Sequence, residues 1–429
     1  MKRKKLAIVG SGISGLSAAF FLSKKFDVYL FEKNSVLGGH TRTLNFLENE
    51  KKISIDTGFI VFNEKNYHDL TSFFKILEVE YENSEMSFSF SNKNSDFEYG
   101  GKNLNTLFAK RKNIFSIKFI FLVFEILRLY KLSKKLSLNF EHIESITIED
   151  FLIKNNFSQN LCENHVYPMV SSIWSSNMNE VKQFPLQSFI KFFSNHGLFN
   201  LRNRPQWKFV KGGSNKYITK LLNKKLFKFE TNFKIKNISR NNNKIQIIND
   251  KKNIYNFDKI ILATHADQAI DLINDISSDE VKILSKFNYS KNTAFLHKDE
   301  TFMPNRKLIW SSWNFLKNTN SNEFSLTYWM NRLQNIPSNK SYFVTINPSR
   351  VPKKIIDQTV FEHPIFNLET LKAQKELNKI QGIKNTFYCG SYFGYGFHED
   401  GIQSSAYLSL LMGIDLPWKR KKNFLNRIF

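Results

Sequence analysis

Cysteine is nearly absent: Cys162 and Cys389 are the only two in 429 residues. There is no CxxC pair, which argues against a cysteine zinc site, and two cysteines cannot build a disulfide framework. A reducing cytoplasm suits such a chain. A secretory leader is not expected either. MKRKKLAIVGSG starts basic, but its apolar run, LAIV, ends after four residues at Gly10, too short for the apolar region of a signal peptide. Nor is there a run able to span a bilayer. The most membrane-like stretch, IFSIKFIFLVFEILRLYKL over 114–132, is broken by Lys118, Glu125, Arg128 and Lys131, and its longest uncharged run, Phe119 to Phe124, is six residues. A spanning helix needs about 20. The four charges fall on one arc of a helical wheel, so this stretch reads as an amphipathic helix that either packs on a core or lies on a membrane surface. No Ser-His-Asp or Cys-His signature and no nucleic-acid motif stands out. The net charge of +24 therefore does not by itself imply a nucleic-acid partner.

What is abundant is Phe, 43 residues, within a hydrophobic fraction of 41%. That suffices for a well-packed interior, and the length calls for two domains or one domain with a long insertion. Lys, Asn, Ile and Phe dominate together, as in an AT-rich genome. The basic excess reads either as a Lys-rich solvated surface or as attraction to anionic lipid or acidic substrates.

The first strong motif is near the start. LAIV (6–9) reads as a buried strand, GSGISG places Gly10, Gly12 and Gly15 in GxGxxG spacing, LSAAFFLSKK reads as a helix, and DVYLFE as a second strand ending in Glu32. Gly10 permits the tight turn, Gly12 lets backbone approach a pyrophosphate, and Gly15 lets helix and strand pack closely. The helix start offers N–H groups to phosphates, and Glu32 stands where a carboxylate meets ribose hydroxyls. A second pair, Gly38 and Gly39 in KNSVLGGHTRT, and Gly58 within ISIDTGFIVF (53–62) bring more glycine-bearing backbone to the ligand. That suits FAD bound along its length better than NAD. KGGS and THAD lack the strand–turn–helix setting, so no separate NAD(P)H domain is evident.

At this point the sequence resembles the flavin-containing amine oxidase and phytoene desaturase superfamily. The resemblance is carried by GSGISG…FEKN…GGHTRT, FVKGGSNKYITKLL (209–222), FKIKNISRNNNKIQIIND, FDKIILATHADQAI (257–270) and YCGSYFGYGFHEDGIQSSAYLSLLMG (388–413). A narrower likeness, through DTGFIVFNEKNYHDLTSFF, YWMNRLQNIP, EHPIF and GYGFHEDG, is to a bacterial subgroup described as predicted NAD/FAD-binding proteins and linked with cyclopropane and other modified fatty-acid synthesis. One departure is His40, which stands where many amine oxidases carry an Arg directly after the glycine pair, ahead of Thr41, Arg42 and Thr43.

The resemblance implies an α/β fold. A discontinuous Rossmann-like FAD domain takes residues 1–75, 205–280 and 380–429, and an α+β substrate domain takes 76–204 and 281–379. It implies non-covalent FAD held by Gly10, Gly12, Ile13, Ser14, Gly15, Glu32, Lys33, Gly38, Gly39, His40, Thr41, Thr57, Gly58, Phe59, Ile235, Ala263, Gly390, Ser391, Asp400, Gly401 and Ile402. YCGS would end a strand under the flavin, GYGFHEDG would form a loop over the ring, and a helix from Gly401 to Leu411 would aim its positive end at the flavin and favour its anionic reduced form. Tyr392, Tyr395 and Phe397 would wall the substrate side. His398 is a candidate for a role near the flavin, while Glu399 and Asp400 read equally as acids capping the helix. His297 and Asp299 form a candidate acid–base or metal pair without a third ligand, and no metal is expected. SLTYWMN and SYFVTI read as strands, and an aromatic pocket behind them suits an apolar or lipid substrate. The expected chemistry is hydride removal from a C–H bond, with oxygen, a quinone or another carrier taking the electrons. An amine oxidase and a redox-neutral isomerase or mutase are the alternatives. A last expectation concerns the basic, aromatic C-terminus LPWKRKKNFLNRIF. With KRK (110–112) and the 114–132 helix, it would hold a cytoplasmic protein on the anionic inner face of the membrane.

Overall fold

A computed structural model describes residues 3–140, 143, 145–241, 244–317, 324–420 and 426–428. At its centre is a five-stranded parallel sheet in the order 228–230, 27–31, 5–9, 259–262, 386–388. The opening strand Lys5–Val9 lies between neighbours on both sides, with Leu6 opposite Val28 and Lys259. LAIV and IILA are continuous apolar runs because both faces of this sheet are covered. One face carries the helices Ile13–Leu22 and His398–Leu411. The other carries an antiparallel sheet, Ile235–Asn241, Lys244–Asn249 and Ile254–Phe257, which packs Ile238, Ile245 and Ile247 against Phe31 and Phe257. Its third strand was not visible in the sequence as a separate element.

A second sheet of seven strands runs 355–364, 289–297, 343–346, 324–329, 313–317, 88–92, 97–100. Its strands come from two segments that are far apart in the chain, joined where Phe88–Asn92 pairs in parallel with Trp313–Lys317. Of the stretches read as strands, SLTYWMN and SYFVTI, residues 325–329 and 343–346 lie inside it, while Met330 opens the short helix Met330–Leu333. Beside it, helices Ile117–Leu136, Ile148–Lys154, Tyr167–Trp174 and Leu186–Asn195 build an aromatic layer around Trp174, Phe184, Phe189 and Phe192.

Asp56 ties these parts together. Its buried carboxylate accepts bonds from the Thr43 hydroxyl, the Ser214 amide and hydroxyl, and the Gln334 side chain at 2.5–3.1 Å. Burial nevertheless pushes its pKa up to about 6.

Two expectations are corrected here. In helix Ile117–Leu136 the charged arc is split: Glu125 turns inward and accepts from the Ser158 amide at 2.8 Å. Apolar residues consequently occupy both sides of the helix. At the C-terminus, Trp418 packs on Phe21 and donates to Asp69, Arg420 pairs with Asp69 at 2.6 Å, and Arg427 is buried. These three face the protein rather than an outer surface. Lys421, Lys422, Phe424, Leu425 and Phe429 lie outside the described residues. Among the described residues no helix is long and apolar enough to cross a membrane.

Candidate dinucleotide site and its apolar extension

The glycines of the first turn have separable tasks. Gly10 has φ +97°, and a Cβ there would sit 2.7 Å from the Ala263 carbonyl oxygen. A Cβ on Gly15 would sit 1.9 Å from the Gly10 carbonyl oxygen, so helix and turn touch there. A Cβ on Gly12 would meet nothing within 4 Å, because Gly12 faces a cavity. Helix Ile13–Leu22 begins with no side-chain cap and no acid in its first turn, so its N–H groups and positive end are left for an anionic ligand. Glu32, at the next strand end, is nearly buried. It accepts from the Ser11 amide at 3.0 Å, the Ser11 hydroxyl at 2.6 Å and the Asn34 amide at 2.9 Å. These bonds fix the carboxylate and leave lone pairs for ribose hydroxyls.

The cavity measures about 1480 Å³, more than the roughly 300–1,000 Å³ of a pocket for one drug-sized ligand. It runs from Gly10, Gly12, Ile13, Ser14, Glu32 and Lys33, past Gly39, His40, Thr41, Gly58 and Phe59, to Gly390, Ser391, Tyr392 and His398. Ile235 and Ala263 line it as well. It continues beyond the glycine-bearing turns between Trp174, Phe192, Trp207, Trp313 and Tyr328. The Nε2 atom of His40, which lines the cavity, is buried without a hydrogen-bond partner among the described residues. The open space at Gly12, the free helix start, the fixed Glu32 and this orphan nitrogen together fit an extended dinucleotide.

Other expected contacts serve the frame instead. Gly15, Gly38, Thr57, Asp400, Gly401 and Ile402 do not line the cavity. Gly38 abuts Ile218 and the Thr41 carbonyl, Thr57 accepts from Arg42, and Gly401 lies against Ile13 and Ser14. Ile402 is core. Arg42 is held by Asp357 at 2.7 and 3.0 Å. Tyr395 does not wall the cavity; it packs in the helical layer, and its hydroxyl has no partner among the described residues. Helix His398–Leu411 starts three residues earlier than expected, so His398, Glu399 and Asp400 form its first turn and not a loop. Asp400 caps that helix through the Phe397 amide at 2.8 Å. Glu399 instead accepts the Asp69 and Leu70 amides, both at 2.9 Å, and so caps helix His68–Ile76. Arg427 lies 3.7 Å from Asp400, and burial raises the pKa of both Glu399 and Asp400.

His398 stacks on Phe59 with ring centroids 3.7 Å apart, and its Nε2 lies 2.9 Å from the Thr41 hydroxyl, which bonds Tyr217. Burial lowers His398 to about 3, and also His363 and His265, while His40 is lowered in the same direction. All four imidazoles are neutral near pH 7. Tyr392 lines the cavity, but its hydroxyl is buried without a hydrogen-bond partner among the described residues, and burial holds it protonated. His297 and Asp299 lie away from the cavity. His297 bonds Thr345 at 2.7 Å and accepts the Asp299 amide, while Asp299 caps the turn at Thr301 and pairs with Arg350. Among the described residues no cluster of three or more metal-type ligands exists. Both cysteines are buried and free.

Phe361, His363, Tyr289 and Trp207 also line the cavity, and no role was read for them in the sequence. EHPIF contains His363 and Phe361 is two residues before it, so the period-2 alternation of a strand was the available signal.

Residues 8–77 match the model of an NAD(P)-binding Rossmann-like domain. No curated protein sequence matches the chain. Among solved structures, a CLA-producing fatty acid isomerase from P. acnes is similar at 15% identity and TM-score 0.70, over 96% of this chain and 99% of that one. Putrescine oxidase bound to putrescine is similar at 12% identity and TM-score 0.68, over 96% and 99%. Cyclohexylamine oxidase from Brevibacterium oxydans is similar at 13% and 0.67, over 96% and 100%. The chain thus shares the fold of these oxidases and of the fatty acid isomerase along nearly its whole length, and its first segment matches a Rossmann-like NAD(P)-binding domain.

Proposed function

We propose that this protein is an FAD-dependent oxidoreductase that removes hydride from a C–H bond of an apolar, fatty-acyl or other lipid-like substrate. The observation that carries the reading is the continuity of one cavity from the glycine turn and Glu32 into a chamber walled by Trp174, Phe192, Trp207 and Tyr328. Bound FAD supplies a two-electron acceptor for hydride. The chain's own residues do the rest. Gly12 and the start of helix Ile13–Leu22 receive the pyrophosphate, and Glu32 receives the ribose. The aromatic walls exclude water and orient a hydrocarbon chain. Arg204, in the same lining, is a cation suited to an acidic headgroup. The neutral imidazoles of His40 and His363 and the protonated Tyr392 can donate or accept hydrogen bonds without adding charge. Desaturation would also release a proton from the neighbouring carbon to solvent, and oxygen, a quinone or another carrier would take up the two electrons.

A second reading has a specific observation in its favour: a similar solved structure is a fatty acid isomerase, so a redox-neutral double-bond shift in the same chamber is its form here. Anaerobic mixing of the holoprotein with unsaturated fatty acids separates the two. Lasting bleaching of the flavin and loss of two hydrogens from the product support the oxidoreductase. A shifted double bond with the flavin reoxidised and no acceptor consumed supports the isomerase. Oxidation of amines with fatty acids untouched overturns both in favour of an amine oxidase. The cofactor is checked first: purified protein should be yellow and release FAD on denaturation. Gly12→Val should stay folded, since its Cβ meets only open space, yet bind FAD at least roughly a hundredfold more weakly because the valine occupies the phosphate position.

A further inference from the structure

Helix Ile117–Leu136 packs Phe119, Leu122, Leu129 and Tyr130 inward. Its outer side is not polar. Ile117, Ile120, Phe121, Phe124 and Leu127 recur at steps of three and four, which places them on one stripe, and all are exposed. The preceding turn adds Phe115, 87% exposed. Isolated exposed apolar residues are ordinary, but a contiguous stripe with three phenylalanines marks an interaction surface.

Charge says what covers it. Residues 101–139 contain nine Lys and Arg and a single acid, Glu125, which is buried against Ser158. The only charge that the surface of this segment exposes is therefore positive. Arg111 and Lys112 precede the stripe, Lys118 stands on its rim, and Lys131, Lys134 and Lys135 follow it; all six are exposed. At 1.5 Å per residue the helix is about 30 Å long and can lie flat in a lipid headgroup layer without crossing it. A protein partner with an acidic rim is the lesser fit, because the apolar stripe is convex and offers no groove.

We propose that this outer face docks the protein reversibly on an anionic bilayer, with Phe115, Phe121 and Phe124 inserted among the acyl chains and the flanking lysines over the headgroups. The surface differs from the one expected of the C-terminus, whose Trp418, Arg420 and Arg427 are engaged inside. It does not depend on which substrate the cavity takes.

Flotation of the full-length holoprotein with phosphatidylcholine vesicles, with and without phosphatidylglycerol, tests the proposal. Binding should require phosphatidylglycerol and fall steeply as salt rises. The double variant Phe121→Ser/Phe124→Ser and the triple variant Lys131→Glu/Lys134→Glu/Lys135→Glu should each weaken it roughly tenfold or more, with flavin content and melting temperature kept as the check on folding. Lys419→Glu, at an exposed position of the C-terminal segment, should not. No flotation at low salt overturns the proposal. So does flotation that both variants retain, or a concentration-dependent dimer that Phe124→Ser abolishes, which would assign the stripe to a second copy of the chain.

Discussion

Helix Ile13–Leu22 and helix Ile117–Leu136 are both dominated by apolar residues, yet the first is buried at all ten positions and the second buries six of twenty. Their residue sizes explain the contrast. ISGLSAAFFL carries Gly15, Ser14, Ser17, Ala18 and Ala19, small enough for neighbours to close in from every side. The Ser17 and Ser405 hydroxyls come within 2.6 Å, and Gly401 lies against Ile13 and Ser14. IKFIFLVFEILRLY carries Ile, Phe and Leu on both flanks and meets protein on one. Small residues therefore mark the helix enclosed by its own chain, and bulky residues all round mark the one left with a face for something else.

The contrast is broken most severely by Gly15→Val. With its Cβ 1.9 Å from the Gly10 carbonyl, the enclosed helix cannot seat, and the variant should give no folded protein on size exclusion. Next comes Arg427→Ala. Arg427 lies 4.7 Å from the centre of the Tyr67 ring, donates to the Asn66 carbonyl and neighbours Asp400. Removing it leaves a buried carboxylate uncompensated beneath the helix that covers Ile13–Leu22. A loss of about 3–5 kcal/mol in chemical denaturation is expected.

Glu399 sharpens the same side of the comparison through pH. Burial, reinforced by Asp69, raises its pKa from 4.5 to about 7. The folded state thus holds a proton that the unfolded state releases. This contribution to stability is fully present below pH 4.5 and is lost as pH rises through about 7. Melting temperature measured across that window should fall with rising pH by this component, and Glu399→Gln, which is neutral throughout, should lack it. The smallest effect belongs to the outer helix. Phe124→Ser in solution should change stability by no more than about 0.5 kcal/mol, although its neighbour Phe119, turned inward, should cost about 3–5 kcal/mol when cut to Ala.

Those residues also show which features could be read in advance. Gly10 and Gly15 answer to a positive φ and a close approach only a few residues away, so local spacing exposes them. Glu32 follows from the end of the next strand. Asp400 caps the helix it belongs to, as its position suggested. Glu399, beside it, caps a helix 330 positions earlier in the chain, and no local pattern encodes that. Arg427 looked like one of several basic tail residues, because burial of a single cation depends on Asn66, Tyr67 and Asp400, which only the fold brings to it. The aromatic chamber was legible as composition but not as geometry: its sheet joins Phe88–Asn92 to Trp313–Lys317, a pairing across more than two hundred residues.

The strand order of the central sheet carries one further consequence, for how the chain comes to be folded. Leu6 finds Val28 early, but its other partner is Lys259, and Ile260 pairs in turn with Thr386, so the sheet cannot be completed until most of the polypeptide has been made. The aromatic segments between them must wait, partly collapsed, for the sheet that will organise them. Pairings this distant are slow to form and leave apolar surface uncovered in the interval. Refolding from denaturant should accordingly be slow and sensitive to protein concentration, with aggregation as its competitor.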